Sequence, residues 1–246
     1  ETLGGQDRLL QPEVNGQVVP WDRALDEVAD RFRRIVDEHG PDAVAFYVSG
    51  QLLTEDYYVA NKLMKGFIGS ANIDTNSRLC MSSAVVAHKR AFGEDVVPGC
   101  YEDLELADLV ILTGSNTAWA HPIVYQRIAA AKQARPHMKV VVIDPRRTAT
   151  CDLADLHLAI RPGQDVPLFN GLLTWLDDHN GLDRDYIHAH TEGFAATLAT
   201  AREQGNDWAT LAEQLGVSQE DLTTFYDWFA ACDRTVTVFS QGVNQA

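Results

Sequence analysis

Leu109-Val110-Ile111-Leu112-Thr113-Gly114-Ser115-Asn116 is followed by a helical stretch, Pro122 to about Ala134, and then by Val140-Val141-Val142-Ile143-Asp144-Pro145-Arg146-Arg147. Each apolar run is short, rich in β-branched residues and closed by small or charged turn residues, the pattern of a strand buried on both faces. Two such strands joined through a helix form a βαβ unit, whose strands run parallel. The same alternation extends in both directions. Upstream, Trp21, Leu25, Val28, Ala29, Phe32, Ile35 and Val36 share one helical face until Gly40-Pro41 stops it. Ala43 to Val48 then reads as a strand closed by Ser49-Gly50, and a helix starts near Thr54. Downstream, His157 to Ile160 reads as a short strand and Val166 to Asp178 as a helix. Ser218-Gln219-Glu220-Asp221 opens a further helix with Asp221 placed as in a capping box, and Thr235 to Phe239 is a last strand closed by Ser240-Gln241-Gly242. The expected fold class is α/β, with mostly parallel, Rossmann-like sheets covered by helices.

Composition narrows the partners. The 246 residues include 20 basic and 35 acidic side chains, a formal net charge of -15, so nucleic acid and anionic membrane surfaces are excluded as the main targets. No apolar run reaches the roughly 18 residues of a membrane-spanning helix. The chain opens on Glu1-Thr2-Leu3-Gly4-Gly5, without an initiator Met or a signal sequence, and is expected to be a piece of something longer. Cys80, Cys100, Cys151 and Cys232 are widely spaced and form no C-x-x-C pair, which argues against a self-contained metal cage. A chain of this size and apolar content does not need disulfide staples, so a reducing, cytoplasmic setting is expected.

In parallel sheets ligands sit beyond the carboxyl ends of the strands, where helix N-termini and loop amides converge. The loops there are Ser49-Gly50-Gln51, Thr113 to Asn116, Asp144 to Thr148, Arg161-Pro162-Gly163-Gln164-Asp165 and Ser240-Gln241-Gly242. Small residues let backbone approach a ligand, and the amides and charges can bond one. Asp144 is placed to take ribose hydroxyls and Arg146 and Arg147 to grip phosphate, so a nucleotide is the expected ligand. A plain capped turn is the alternative for Asp144 to Arg147, and the G-x-G-x-x-G fingerprint of an ordinary NAD site is missing after the first strand. Cys80 lies just before a helical stretch, Ala84 to Ala91, with Arg78 close by. A thiol so placed is expected to serve as nucleophile or soft metal ligand, against the alternative of a small buried hydrophobe, which is the reading given to the other three cysteines. His121 is read equally as a ligand donor or a structural imidazole, and Trp175, Trp208 and Trp228 as packing.

Four stretches carry a resemblance. Asn72 to Ala84, centred on Cys80, then Ser115-Asn116 with Trp119-Ala120-His121-Pro122, then Ile143 to Thr150, together with Ser240-Gln241-Gly242-Val243-Asn244-Gln245, resemble the catalytic subunits of bacterial assimilatory nitrate reductases. These are molybdenum oxidoreductases that carry bis-molybdopterin guanine dinucleotide. The resemblance implies that Cys80 is the protein ligand to molybdenum. It also implies that Gln51, Asn76, Thr113, Gly114, Ser115, Asn116, Trp119, Asp144, Pro145, Arg146, Arg147, Thr148, Gly163, Gln164, Asp165, Gln241 and Gln245 contact the pterin guanine dinucleotides. The implied reaction is two-electron reduction of nitrate to nitrite by oxygen-atom transfer at the metal, fed by an electron donor protein or reductase subunit.

This sequence departs from the family pattern in lacking the N-terminal cysteine motif of a [4Fe-4S] cluster, which is expected in the rest of the parent protein. The expected organisation is 1–76 as the first part of an α/β domain completed by chain outside this sequence, 77–234 as a Rossmann-like cofactor-binding domain, and 235–246 as a return strand and turn to the first domain. Such a piece is expected to be inactive alone. Periplasmic nitrate reductases are close in motif but less similar over Asp144 to Thr150. Formate dehydrogenase of the same superfamily is the enzyme rival, although it usually has His where Met81 follows Cys80. A nonenzymatic nucleotide-binding module and thiol catalysis by Cys80 are the other readings, the last weakened because no His is fixed near the thiol by sequence.

Overall fold

The computed structural model describes residues 9–205 and 208–245. The chain divides between Leu79 and Cys80 into two compact units.

In the first unit, β1 (Glu13–Val14) and β2 (Gln17–Val18) form an antiparallel hairpin. Asn15 and Gly16 at its tip have φ of 51° and 76°, as a tight two-residue hairpin turn requires. Helix α1 (Trp21–His39) is the expected amphipathic helix, and Gly40 closes it by donating its N–H to the Val36 carbonyl at 2.8 Å. The strand expected over Ala43 to Val48 is shorter. Pro41–Ala43 is a 3₁₀ turn in which Val44 N–H bonds the Pro41 carbonyl, and only β3 (Phe46–Val48) remains extended. Helix α2 (Thr54–Asn61) runs on into a π-helical stretch, Lys62–Ile68. Then β4 (Ile73–Thr75) pairs parallel with β3, Phe46 opposite Ile73 and Val48 opposite Thr75. Helix α3 (Ser77–Phe92) carries the chain into the second unit and is kinked at Met81, whose φ and ψ of -147° and 17° leave the helical region.

The second unit is built on the βαβ unit read from the sequence. After α4 (Tyr101–Leu106) come β5 (Leu109–Thr113), α5 (Thr117–Ala120), α6 (Pro122–Ala134), β6 (Lys139–Ile143) and β7 (Leu156–Leu158). There follow α7 (Asp165–Asp178), α8 (Arg184–His190), α9 (Phe194–Gly205), α10 (Trp208–Leu215), α11 (Gln219–Ala231), β8 (Thr235–Phe239) and α12 (Gln241–Asn244). The strands form one parallel sheet in the order β7-β6-β5-β8.

The central strands feed two cores by simple alternation. Leu109, Ile111, Val141 and Ile143 pack with Leu168, Leu172, Leu211, Leu222 and Phe225 from α7, α10 and α11. Their neighbours Val110, Leu112, Val140 and Val142 pack on the opposite face with Leu104 and Ile128 from α4 and α6. Trp175, Trp208 and Trp228 lie against the first of these cores, as packing residues. Ser218 caps α11 by accepting the Asp221 N–H at 3.0 Å.

One domain expectation is corrected. Residues 235–239 do not return to the first unit. They pair with β5 along their whole length, from Leu109 opposite Thr235 to Thr113 opposite Phe239. Val236 and Val238 also pack against the second unit's core, so both the ladder and the burial hold the strand there.

Candidate functional site

The chain leaves β5 toward β6 on one side and returns as β8 on the other, so the sheet reverses its winding between β5 and β8. A crevice forms at the carboxyl ends of such a pair because the following loops diverge to opposite faces. Here the two loops first touch. Gly242 donates its N–H to the Gly114 carbonyl at 3.0 Å, and a Cβ on Gly114 would stand 2.8 Å from Gly242 backbone atoms. Gly114 also has φ of 55°, which disfavours other residues. The sequence pattern reads these small residues as room for a ligand. The structure shows that they are small because the two backbones pack on one another.

Helix α12 turns immediately beyond that contact, and Gln241 at its start donates its side-chain amide to Cys80 Sγ at 2.8 Å. Cys80 is half-buried and sits just before the break at Met81, so the longer part of α3 starts beyond the thiol. The Arg78 side chain, expected to assist the thiol, pairs with Asp74 at 3.4 Å.

The remaining residues of the second unit line up along the same sheet edge. Buried Ser115 bonds the Thr117 hydroxyl at 2.9 Å. Asn116 Oδ1 accepts from Thr150 Oγ1 at 3.1 Å, and that hydroxyl in turn accepts the Ala118 N–H. Thr150, which sequence reasoning did not single out, therefore ties the loop after β5 to the loop after β6; only the distance in space identifies it. Trp119 is largely exposed at the end of α5.

Asp144 is buried at the end of β6, and its Oδ1 accepts the Arg146 N–H at 2.8 Å. One carboxylate oxygen thus makes the capped turn that was the plain alternative. Pro145, Arg146 and Arg147 are exposed, whereas Thr148 caps the 3₁₀ turn Ala149–Leu153 through the Thr150 N–H. Asp165, the first residue of α7, accepts a bond from Thr113 Oγ1 at 3.3 Å. Burial pushes its carboxyl above the usual range, partly offset by its own backbone N–H and the Thr113 hydroxyl, and the nearby Asp144 charge adds to the rise. Gln164 accepts from the Gln214 side chain at 2.9 Å, and Arg161 caps the end of α10 through the Glu213 and Gln214 carbonyls. Gly163 is exposed in that loop, and Gln245, exposed at the end of α12, donates its backbone N–H to the Gln241 carbonyl.

Gln51 and Asn76 belong to the first unit, at the carboxyl ends of β3 and β4. Asn76 Oδ1 accepts the Gly50 N–H at 2.5 Å, and Gln51 N–H bonds Ser49 Oγ at 3.2 Å. A side chain at Gly50 would meet Ser77 Oγ, so this loop too is closed on its neighbour.

Of the other thiols, Cys151 is buried and Cys232 half-buried, with burial raising both pKa values. Cys100 departs from the buried-hydrophobe reading: it is exposed at the start of α4. His121 caps no helix through its side chain and is exposed before α6.

The arrangement is a soft sulfur with an amide donor, an edge of loop amides and a pair of exposed guanidinium groups after β6. The molybdopterin oxidoreductase family matches residues 8–225. The chain belongs to that family. A nitrate reductase of Shewanella frigidimarina is 56% identical over 98% of this chain and 26% of its own length. One of Klebsiella oxytoca is 55% identical over 100% of this chain and 28% of its own. A periplasmic nitrate reductase of Desulfovibrio desulfuricans is 38% identical over 99% and 34% respectively. The chain therefore spans about a quarter to a third of the length of these relatives. Among solved structures, an acetylene hydratase from Pelobacter acetylenicus superimposes with a TM-score of 0.69 at 22% identity, over 93% of this chain and 30% of that one, a likeness of fold.

The donor set suits the molybdenum–pterin group that membership in the molybdopterin oxidoreductase family implies. Cys80 offers one sulfur, a soft donor of the kind such a metal takes. The exposed Arg146 and Arg147 and the loop amides suit an anionic portion of such a group.

Proposed function

We propose that this chain is part of the catalytic subunit of a molybdenum nitrate reductase of the assimilatory type, working in the cytoplasm. The observation that carries the reading is identity of 55% and 56% to two nitrate reductases, sustained over essentially the whole chain. When bound, the bis-molybdopterin guanine dinucleotide centre supplies two-electron oxygen-atom transfer, which converts nitrate to nitrite. The residues of this chain bind and orient that centre. Cys80 provides the sulfur ligand. The residues given to the dinucleotides are Gln51, Asn76, Thr113, Gly114, Ser115, Asn116, Trp119, Asp144 to Thr148, Gly163, Gln164, Asp165 and Gln245. Asp165 sits beside the strand ends, where its carboxylate accepts the Thr113 hydroxyl at 3.3 Å. A [4Fe-4S] cluster held elsewhere in the parent protein would supply the electrons from a donor protein. Four free thiols support the cytoplasmic placement.

The test is made on the full-length parent. Purified enzyme is expected to contain molybdenum and releasable guanine nucleotide and to form nitrite from nitrate with a chemical reductant. Cys80→Ser is expected to lose at least about a hundredfold in activity, in keeping with the loss of a primary ligand. The molybdenum X-ray absorption spectrum should lose one sulfur scatterer. Formate oxidation as the main activity, or nucleotide without metal, would overturn the proposal.

A further inference from the structure

We infer that Gln241 acts on the Cys80 sulfur and not on the pterin: it is a positioning residue whose amide sets the electron density of the metal-ligating thiolate. The inference rests on the nitrate reductase reading above and gives one of its residues a different role.

The geometry is specific. Gln241 Nε2 donates to Cys80 Sγ at 2.8 Å. Both ends of that bond are fixed by backbone. Phe239 is held opposite Thr113 in the β5–β8 ladder, so the loops beyond the two strands start in register. Gly242 then packs on Gly114, where a Cβ on Gly242 would lie 2.5 Å from Gly114 Cα. Ser240 accepts the Val243 and Asn244 N–H groups at 3.0 and 3.1 Å, and Gln245 N–H bonds the Gln241 carbonyl at 3.1 Å. Gln241 is thus anchored on both sides, and its side chain has a fixed origin from which to reach the sulfur. On the other side, the break at Met81 sets where Cys80 stands.

The turn does not itself require glutamine. No side-chain cap bond is made at the start of α12, and Gln241 is exposed apart from its contact with sulfur. A hydrogen bond to a ligating sulfur withdraws electron density from it and so favours the reduced metal. Gln241 therefore raises the molybdenum potential, and the paired glycines are the device that holds it in place.

The test uses the full-length holoenzyme carrying Gln241→Leu, and Gln241→Glu as a nearly isosteric variant that lacks the N–H and adds negative charge. Molybdenum and guanine nucleotide contents are measured first, then the molybdenum midpoint potentials by redox titration followed by electron paramagnetic resonance. Cofactor content at the wild-type level, with a lower potential in Leu and a still lower one in Glu, and with altered Mo(V) g-values in both, is the expected result. Gly242→Ala should lower the potential in the same sense by displacing the turn. Unchanged potentials and g-values in fully loaded Gln241→Leu would overturn the inference, and so would loss of the pterin from both Gln241 variants, which would make the residue a cofactor contact. Absence of molybdenum from the wild-type parent is a separate outcome: it would overturn the nitrate reductase reading, and this inference with it.

Discussion

Asp165 places a carboxyl group half out of water beside a second acid, Asp144, at the end of the sheet. Burial is the larger cause of its raised pKa. An acid whose pKa is higher in the folded state binds its proton more tightly there, so stability is greatest below the unfolded pKa and declines as pH rises through the folded one. Asp165→Asn keeps an oxygen to accept the Thr113 hydroxyl and removes the charge. It is expected to be modestly more stable than wild type at neutral pH and equal to it in acid, as read by urea melts at both pH values. A less stable variant at neutral pH would show that the charge is itself satisfied in the fold. Asp165 was visible in the sequence as part of a polar loop after a strand, because a short loop following an apolar run can be placed by pattern alone. The contact of Gly114 with Gly242 was not, since each glycine is explained only by the backbone of the other, which lies far away along the chain.

Elements with strong periodicity were legible to within a residue or so. Pro122–Ala134 and Thr235–Phe239 form as the pattern requires, and β5 and β6 each gain a residue. What pattern could not supply was how closely helices approach. Gly171 in α7 faces Leu211 of α10 and Tyr226 of α11, and a Cβ there would stand 2.4 Å from Leu211 Cδ2 and 2.7 Å from the Tyr226 hydroxyl. That hydroxyl is buried and donates to the Leu168 carbonyl at 2.6 Å, so it cannot retreat without losing its bond. Gly171→Ala is therefore expected to destabilise, by about 1–3 kcal/mol as for other overpacked cores, despite the better helix propensity of alanine. Denaturant melts measure this, and a stabilised variant would show that Leu211 repacks freely. The π-helical stretch at Lys62–Ile68 and the shortened β3 escaped the reading for a related reason. Both depend on how a turn closes, at Gly69 in one case and Pro41 in the other, and not on which residues are apolar.

Across the second unit as a whole, the loop edge of the sheet is matched at its other end by an ion network. Asp108, just before β5, accepts from Arg234 Nε and Nη2 at 2.9 and 2.8 Å and from Arg135 Nη2 at 2.6 Å. It thereby joins the start of β5 to the end of α6 and to the segment before β8. The Arg234 hydrogen bonds are the main cause of its lowered pKa, opposed by desolvation and helped by the charges of Arg234, Arg135 and His137. A depressed carboxyl pKa contributes stability that is present above the unfolded value and lost as pH falls through the folded one. Asp108→Asn should therefore be less stable than wild type at neutral pH, with the gap closing as the medium is acidified below the carboxylate range. Salt offers a second reading of the same pairs. The formal charge of -15 makes the whole chain self-repelling, so salt should stabilise both proteins through that general effect. Screening of the Asp108 pairs acts only on wild type, so the gap between the two should narrow as ionic strength rises. Thermal melts over a grid of pH and salt separate the two effects, and a gap independent of both would mean that Asp108 acts through shape alone.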